Sequence, residues 1–162
     1  MTDSPPDTQQ VTLTTDLPAD ILMVLGRIVV VFGQLEYMLQ LSTKRLSDLE
    51  FHMAMTEAEK LGSIAQLKSR VDELFQMDAQ DQDREAEFGQ ILDRAQDLYR
   101  RRNDFIHALY ALDTTGMVIH QRRLDAQYID VAAMSALHQE VRAIVLTLNT
   151  ITHPTRSTTR DE

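Results

Sequence analysis

Between Pro18 and about Ser47 the chain carries one long helical pattern. Apolar residues recur there at three- and four-residue spacing, and at about 1.5 Å per residue the segment makes a helix on the order of 45 Å long. Pro18 stands where proline is common, in a first helical turn. The main apolar stripe reads through Leu25, Val29, Phe32 and Leu39, and a second strip of Met23, Val30, Tyr37 and Leu41 lies on the far side. A helix that is apolar on two sides is either central in a core or covered by another chain. A chain of 162 residues makes one domain, and such a domain hardly surrounds one helix completely. The pattern therefore predicts a homodimer.

Three more helices follow. A second is expected from Thr56 to about Met77, with Thr56 as N-cap and Glu59 completing a capping box. A third is expected from about Asp81 to about Tyr110. A fourth follows the N-cap Asp130 and carries Met134, Leu137, Val141, Ile144, Val145, Leu148 and Ile151 on one face. In "ALDTTGMVIHQRR" a turn at Asp113–Gly116 between β-favouring residues predicts a small β-hairpin, which must pack on the helices because a lone hairpin is not stable. The expected fold is all-α: a four-helix bundle spanning residues 17–152, with a hairpin between its third and fourth helices. Residues 1–16 and 153–162 are polar and are expected as disordered tails, "VTLTT" being a candidate short edge strand.

Cysteine is absent, which rules out disulfides and thiolate metal sites. The start, "MTDSPPDTQQ", lacks the basic and apolar regions of a secretory signal. The most apolar run, "ILMVLGRIVVVFG", is interrupted by Arg27 and falls short of the roughly 20 residues a membrane helix needs. A cytoplasmic protein without a membrane segment is expected. The formal net charge of −9 argues against a broad nucleic-acid-binding face. Any such contact has to come from a local cluster, and Arg94, Arg100, Arg101, Arg102, Arg122 and Arg123 offer one. The plain alternative is a solvated helix surface.

Two charges look misplaced. In "RRNDFIHALY", Arg102 falls at the centre of the stripe made by Phe88, Ile91, Ala95, Leu98, Phe105 and Ile106, while Asn103 and His107 share its edge one turn apart. In "FGQLEYML", Glu36 falls between Val29 and Phe32 on the stripe of the first helix. Unpaired buried charges cost several kcal/mol, so the two are expected to pair with each other. The alternative is that both side chains reach solvent at the end of the bundle.

These residues resemble the signature of HEPN domains: an arginine, a polar residue, and a histidine a turn later, here Arg102, Asn103 and His107. The order of elements is similar as well, with a long first helix containing "FGQLE", the motif late in a later helix, a hairpin and a last helix. The resemblance covers about residues 18–152. It implies a metal-independent endoribonuclease of toxin or phage-defence type, which dimerises so that two such motifs share one cleft, and it implies no cofactor. It equally allows a HEPN-like module that has lost activity and serves in interaction. The chemistry suits the residues, because cleavage through the ribose 2′-OH needs a base, an acid and positive charge for the phosphorane. Two copies of His107 would serve as base and acid, with Arg102 and Asn103 beside them and Glu36 supporting the site. If Glu36 neutralises Arg102, Arg101 or Arg100 meets RNA instead. Tyr110 is a candidate for stacking a base or for core packing. Asp104 is out of place near bound RNA. An antitoxin-like partner is an expectation of the same resemblance. His52, His120, His138 and His153 form no metal-ligand pattern and read as lone surface histidines.

Overall fold

The computed structural model describes residues 12–46, 50–61, 63–77, 82–122 and 125–152. In chain order its elements are β1 (Thr12–Leu13), α1 (Ala19–Leu46), α2 (Phe51–Lys60), α3 (Ile64–Met77), α4 (Gln82–Ile106), β2 (Leu109–Leu112), β3 (Val118–Arg122), β4 (Asp125–Tyr128) and α5 (Val131–Thr152). The chain is mostly helical and carries one small antiparallel sheet. It divides into two units, Met1–Val30 with Leu98–Glu140, and Val31–Asp97 with Val141–Glu162.

The first unit holds the sheet, whose strands follow the order β1-β2-β3-β4. The expected hairpin is present: Leu112 pairs with Val118 and Ala111 with Ile119. Its turn closes with Gly116 N–H donating to Asp113 O at 3.0 Å, and Gly116 takes a φ of 80°, the left-handed region where glycine pays no steric penalty. Asp113 organises the loop. Its Oδ1 accepts from the backbone N–H of Thr115 and of Met117, each at 2.9 Å, and from the Thr115 hydroxyl at 2.7 Å; its Oδ2 accepts from Tyr128 at 3.0 Å. These bonds hold the carboxyl below its ordinary pKa, the Thr115 hydroxyl contributing most.

The sheet is wider than expected. β4 adds to β3, with Ile119 opposite Tyr128 and His120 opposite Gln127. On the other edge Thr12 and Leu13 pair with Leu112 and Ala111. The edge strand in "VTLTT" therefore forms, and it draws residues 12–13 out of the expected tail; residues 1–11 and 153–162 lie outside the described residues. Ala111 and Ile119 are buried, as are Ile21, Val24 and Ile28 of α1, Leu98 of α4, and Met134 and Leu137 of α5. Asp130 caps α5 as expected, its Oδ1 accepting from Ala133 N–H at 2.9 Å.

The second unit buries Val31, Phe32, Leu35, Met38 and Leu39 of α1, Ile64, Leu67, Val71 and Leu74 of α3, Phe88, Leu92 and Ala95 of α4, and Val141 and Leu148 of α5. The expected second helix forms in two pieces, and this corrects its start. Thr56 lies inside α2 and is not a cap. The N-cap is Ser63: its Oγ accepts from Gln66 N–H at 3.2 Å, and its carbonyl takes the first helical bond, from Leu67 at 3.0 Å.

The buried line of α1 is also rotated from the expected one. It centres on Val24, Ile28 and Leu35, so Leu25 is at its edge and Glu36 stands about 100° from Leu35, exposed. The expected second strip is real surface: Met23, Val30 and Tyr37 are 52%, 62% and 50% exposed, and Leu41 is half-buried. By length and composition Ala19–Lys44 holds an 18-residue window, of mean hydropathy 1.7, sufficient to cross a membrane, a test that a core helix also passes; the same stretch supplies buried residues to both units.

Capping separates the two starts by experiment. Ser63→Ala should lower stability by about 1 kcal/mol, the ordinary cost of a lost N-cap, whereas Thr56→Ala, inside a helix, should cost far less. Urea denaturation of both variants measures the difference. Equal losses would return the cap to Thr56.

Candidate functional site

The last turns of α4 carry the expected site residues, and they lie in the first unit. Leu98 is buried, and the next two positions on its line, Arg102 and Phe105, are half-buried. Burial thus fades toward the helix end. The helix stops at Ile106 and not at Tyr110, because the chain must turn to enter β2 at Leu109. Its last carbonyls need donors from elsewhere. His107 N–H reaches Asn103 O at 3.3 Å, and the Tyr110 hydroxyl donates to Phe105 O at 2.7 Å. Burial pushes the Tyr110 phenol up to about 12. Tyr110 is therefore a strand residue whose hydroxyl closes the helix, which corrects its expected place on the helix wheel.

Arg102 Nη1 donates to Asn103 Oδ1 at 3.2 Å, and the guanidinium carbon lies 5.8 Å from the centroid of the Tyr99 ring, within cation–π range. His107 is exposed in the turn after the helix, and Asn103 is half-buried. The case for a Glu36–Arg102 pair required both charges to sit on buried stripes. Glu36 is exposed and Arg102 is half-buried, so neither charge stands on a fully buried stripe.

The neighbouring charges are engaged with carboxylates. Arg101 Nη1 donates to Glu140 Oε1 at 2.9 Å, and Arg122 pairs with Asp104. Asp104, out of place in the sequence, is thus a partner for Arg122. Arg100 is exposed, and Arg123 lies outside the described residues.

Beside these pairs the same unit opens a cleft of about 670 Å³. Arg101, Asp104 and Phe105 line it from α4. His120, Arg122, Gln127 and Tyr128 line it from the sheet, and Asp130 and Ala133 from the start of α5. Arg101 takes part, and so does Arg122 of the expected basic cluster; Arg102, Asn103, His107, Arg100 and Tyr110 do not line the cleft. The structure adds His120. It is not a lone surface histidine: it is half-buried on β3, its ring lies 5.7 Å from that of Phe105 at 55°, and its Nδ1 is buried without a hydrogen-bond partner among the described residues. Burial lowers its pKa below the ordinary 6.5. Strand alternation was the available signal, since His120 and Arg122 share one face of "VIHQR" and must meet whatever covers it. Among the described residues, no three metal-ligating side chains come together.

His120 gives the fold a pH dependence with a definite sign. Its folded pKa is depressed, so its neutral form is favoured in the fold; its contribution is full above the unfolded value of 6.5 and is lost as pH falls from there through the lower folded value. Denaturation midpoints should drop as the pH falls below about 6.5, and less steeply in His120→Gln. Equal slopes in the two proteins would show that His120 titrates alike folded and unfolded.

No protein-family model, curated protein or solved structure matches this chain.

Proposed function

We propose that the chain is a HEPN-like endoribonuclease of toxin or phage-defence type, acting in the cytoplasm as a homodimer and cleaving RNA without a metal ion. The observation that carries this reading is the end of α4. Arg102 is held against Asn103, and His107, one turn on, stands exposed where a second copy of the chain can meet it. The exposed strip of Met23, Val30 and Tyr37 on α1 supports association, since apolar surface at this spacing is stabilised by cover.

In the shared cleft one His107 takes the proton from a ribose 2′-OH, and that oxygen bonds to phosphorus. The bond from phosphorus to the 5′ oxygen breaks, and the second His107, protonated, gives its proton to that oxygen. Arg102 supplies positive charge to the phosphorane, and the Asn103 amide N–H groups supply donors, its Oδ1 being taken by Arg102.

A second reading is a HEPN-like interaction module without catalysis, for which an antitoxin-like protein is one candidate partner. The ion pairs favour it. Arg101 and Arg122 are already matched by Glu140 and Asp104, and the chain is acidic at −9, so phosphate must compete with carboxylates for these two arginines.

RNA cleavage in EDTA separates the two. The enzyme should cut RNA and leave DNA intact, yield 2′,3′-cyclic phosphate ends, and show a bell-shaped pH profile. His107→Ala should lose about 10²–10⁴ in rate, the range for general acid–base catalysis, with its circular dichroism unchanged. Mixed dimers of wild type and His107→Ala should be nearly inactive. If they keep half the activity, each chain works alone. A monomer by light scattering removes the two-histidine mechanism, and RNA left uncut at every pH selects the interaction module.

A further inference from the structure

The cleft beside His120 is built for something other than a bare phosphate chain. At about 670 Å³ it is in the range of small-ligand sites and is roomier than a single nucleobase requires. Its charges nearly balance, with Arg101 and Arg122 facing Asp104 and Asp130. A run of phosphates gains little from such a wall, so the fit must come from a group with a flat apolar face and polar edges. The wall matches that description. Phe105 is half-buried and leans at 55° on the His120 ring, and Gln127, on the same sheet face as His120, is exposed with an amide that both donates and accepts.

The two arginines retain capacity despite their partners. A guanidinium carries five N–H donors. Arg101 uses Nη1 on Glu140, and Arg122 uses Nη1 on Asp104. Those carboxylates also hold the two side chains in place, so a phosphate attached to a seated base meets donors already positioned.

We infer that this cleft is a nucleotide subsite: it takes one unpaired nucleotide of an RNA strand, with the base against Phe105, its edge on Gln127, and its phosphate on Arg101 and Arg122. The inference deepens the ribonuclease reading and rests on it for the choice of RNA. Single-stranded RNA is gripped in this manner generally, through splayed bases stacked on aromatic rings and backbone phosphates on arginines. The subsite holds the strand, and His107, which is not in its wall, cuts it.

Binding is measured apart from cleavage, on the full-length His107→Ala chain, by fluorescence anisotropy with a short labelled oligoribonucleotide. Phe105→Leu keeps an apolar side chain but removes the stacking face, and should weaken binding about tenfold, the scale of one base–aromatic stack. Gln127→Ala changes an exposed residue without threatening the fold and should weaken binding several-fold. A strand of the same length without bases should bind about as weakly to the parent as the intact strand does to Phe105→Leu. Binding within twofold of the parent in both variants overturns the subsite, and so does equal binding of the baseless strand. Cytidine monophosphate that binds as tightly as the strand makes the cleft a free-nucleotide site and overturns the RNA assignment. The two proposals fail separately: a wild-type chain that binds with the predicted losses but never cuts sinks the ribonuclease, and one that cuts through His107 while both variants bind normally sinks only the subsite.

Discussion

The carboxylate of Asp113 is the constraint on which the sheet end of the chain depends. One oxygen gathers two backbone N–H groups and a hydroxyl of the β2–β3 turn, and the other reaches the Tyr128 hydroxyl at the end of β4. A single side chain thereby fixes both the turn and the end of β4. Register follows from the turn: Ala111 meets Ile119 on the buried face, and His120 meets Gln127 on the face that opens to the cleft. A slip of one residue would exchange these faces, turning Ile119 outward and His120 inward. The Gly116 backbone at φ 80° lets the loop close around the carboxylate.

From that sheet the end of α4 is placed. His107 and Ala108 separate the helix from β2, a link too short to allow choice. Tyr110, second residue of the strand, turns its hydroxyl back onto Phe105 O. The helix end is therefore tied to the strand that follows it, and Phe105 is set against His120, two residues whose sequence separation gives no hint of contact. The same closure leaves His107 exposed, in the turn after the helix.

Periodicity made the long helices legible, together with the Asp130 cap, the buried line of α5, and the hairpin around Asp113 and Gly116. Each depends on local chemistry at short range. The errors came where two signals competed. Thr56-x-x-Glu59 has the form of a capping box, but Gly62 followed by Ser63-x-x-Gln66 is an equally good stop and restart, and Ser63 is the residue that caps. For α1 both sides are apolar, so the stripe's centre was ambiguous by one residue, and one residue is about 100°. That rotation moved Glu36 from an imagined core position to the surface. For α4 the apolar residues Leu109 and Tyr110 continue the helical pattern while belonging to a strand. Asp104 with Arg122 and Phe105 with His120 join residues across the turn, and no local pattern reports them.

An arginine can stand in the position of a leucine at the end of α4 because the stripe no longer faces a closed core there. Leu98 is fully buried, and Arg102, the next on its line, is not. A side chain at such a boundary can lay its carbon stem along apolar neighbours and still carry its charge to partners. Arg102 does so with Tyr99 and Asn103. Half-burial of this kind lowers the cost that a fully buried charge would carry. Arg101 and Arg122 differ, each tied to an acid at the edge of the cleft. Arg102 thus stands against Asn103 in the segment that ends at the exposed His107, whereas Arg101 and Arg122 are each paired with a carboxylate at the edge of the cleft. The proposed capture of RNA has to be local, because the overall field of an acidic chain does not concentrate polyanions. On that proposal, selection falls to shape and stacking in the cleft, and reaction to the groups outside it.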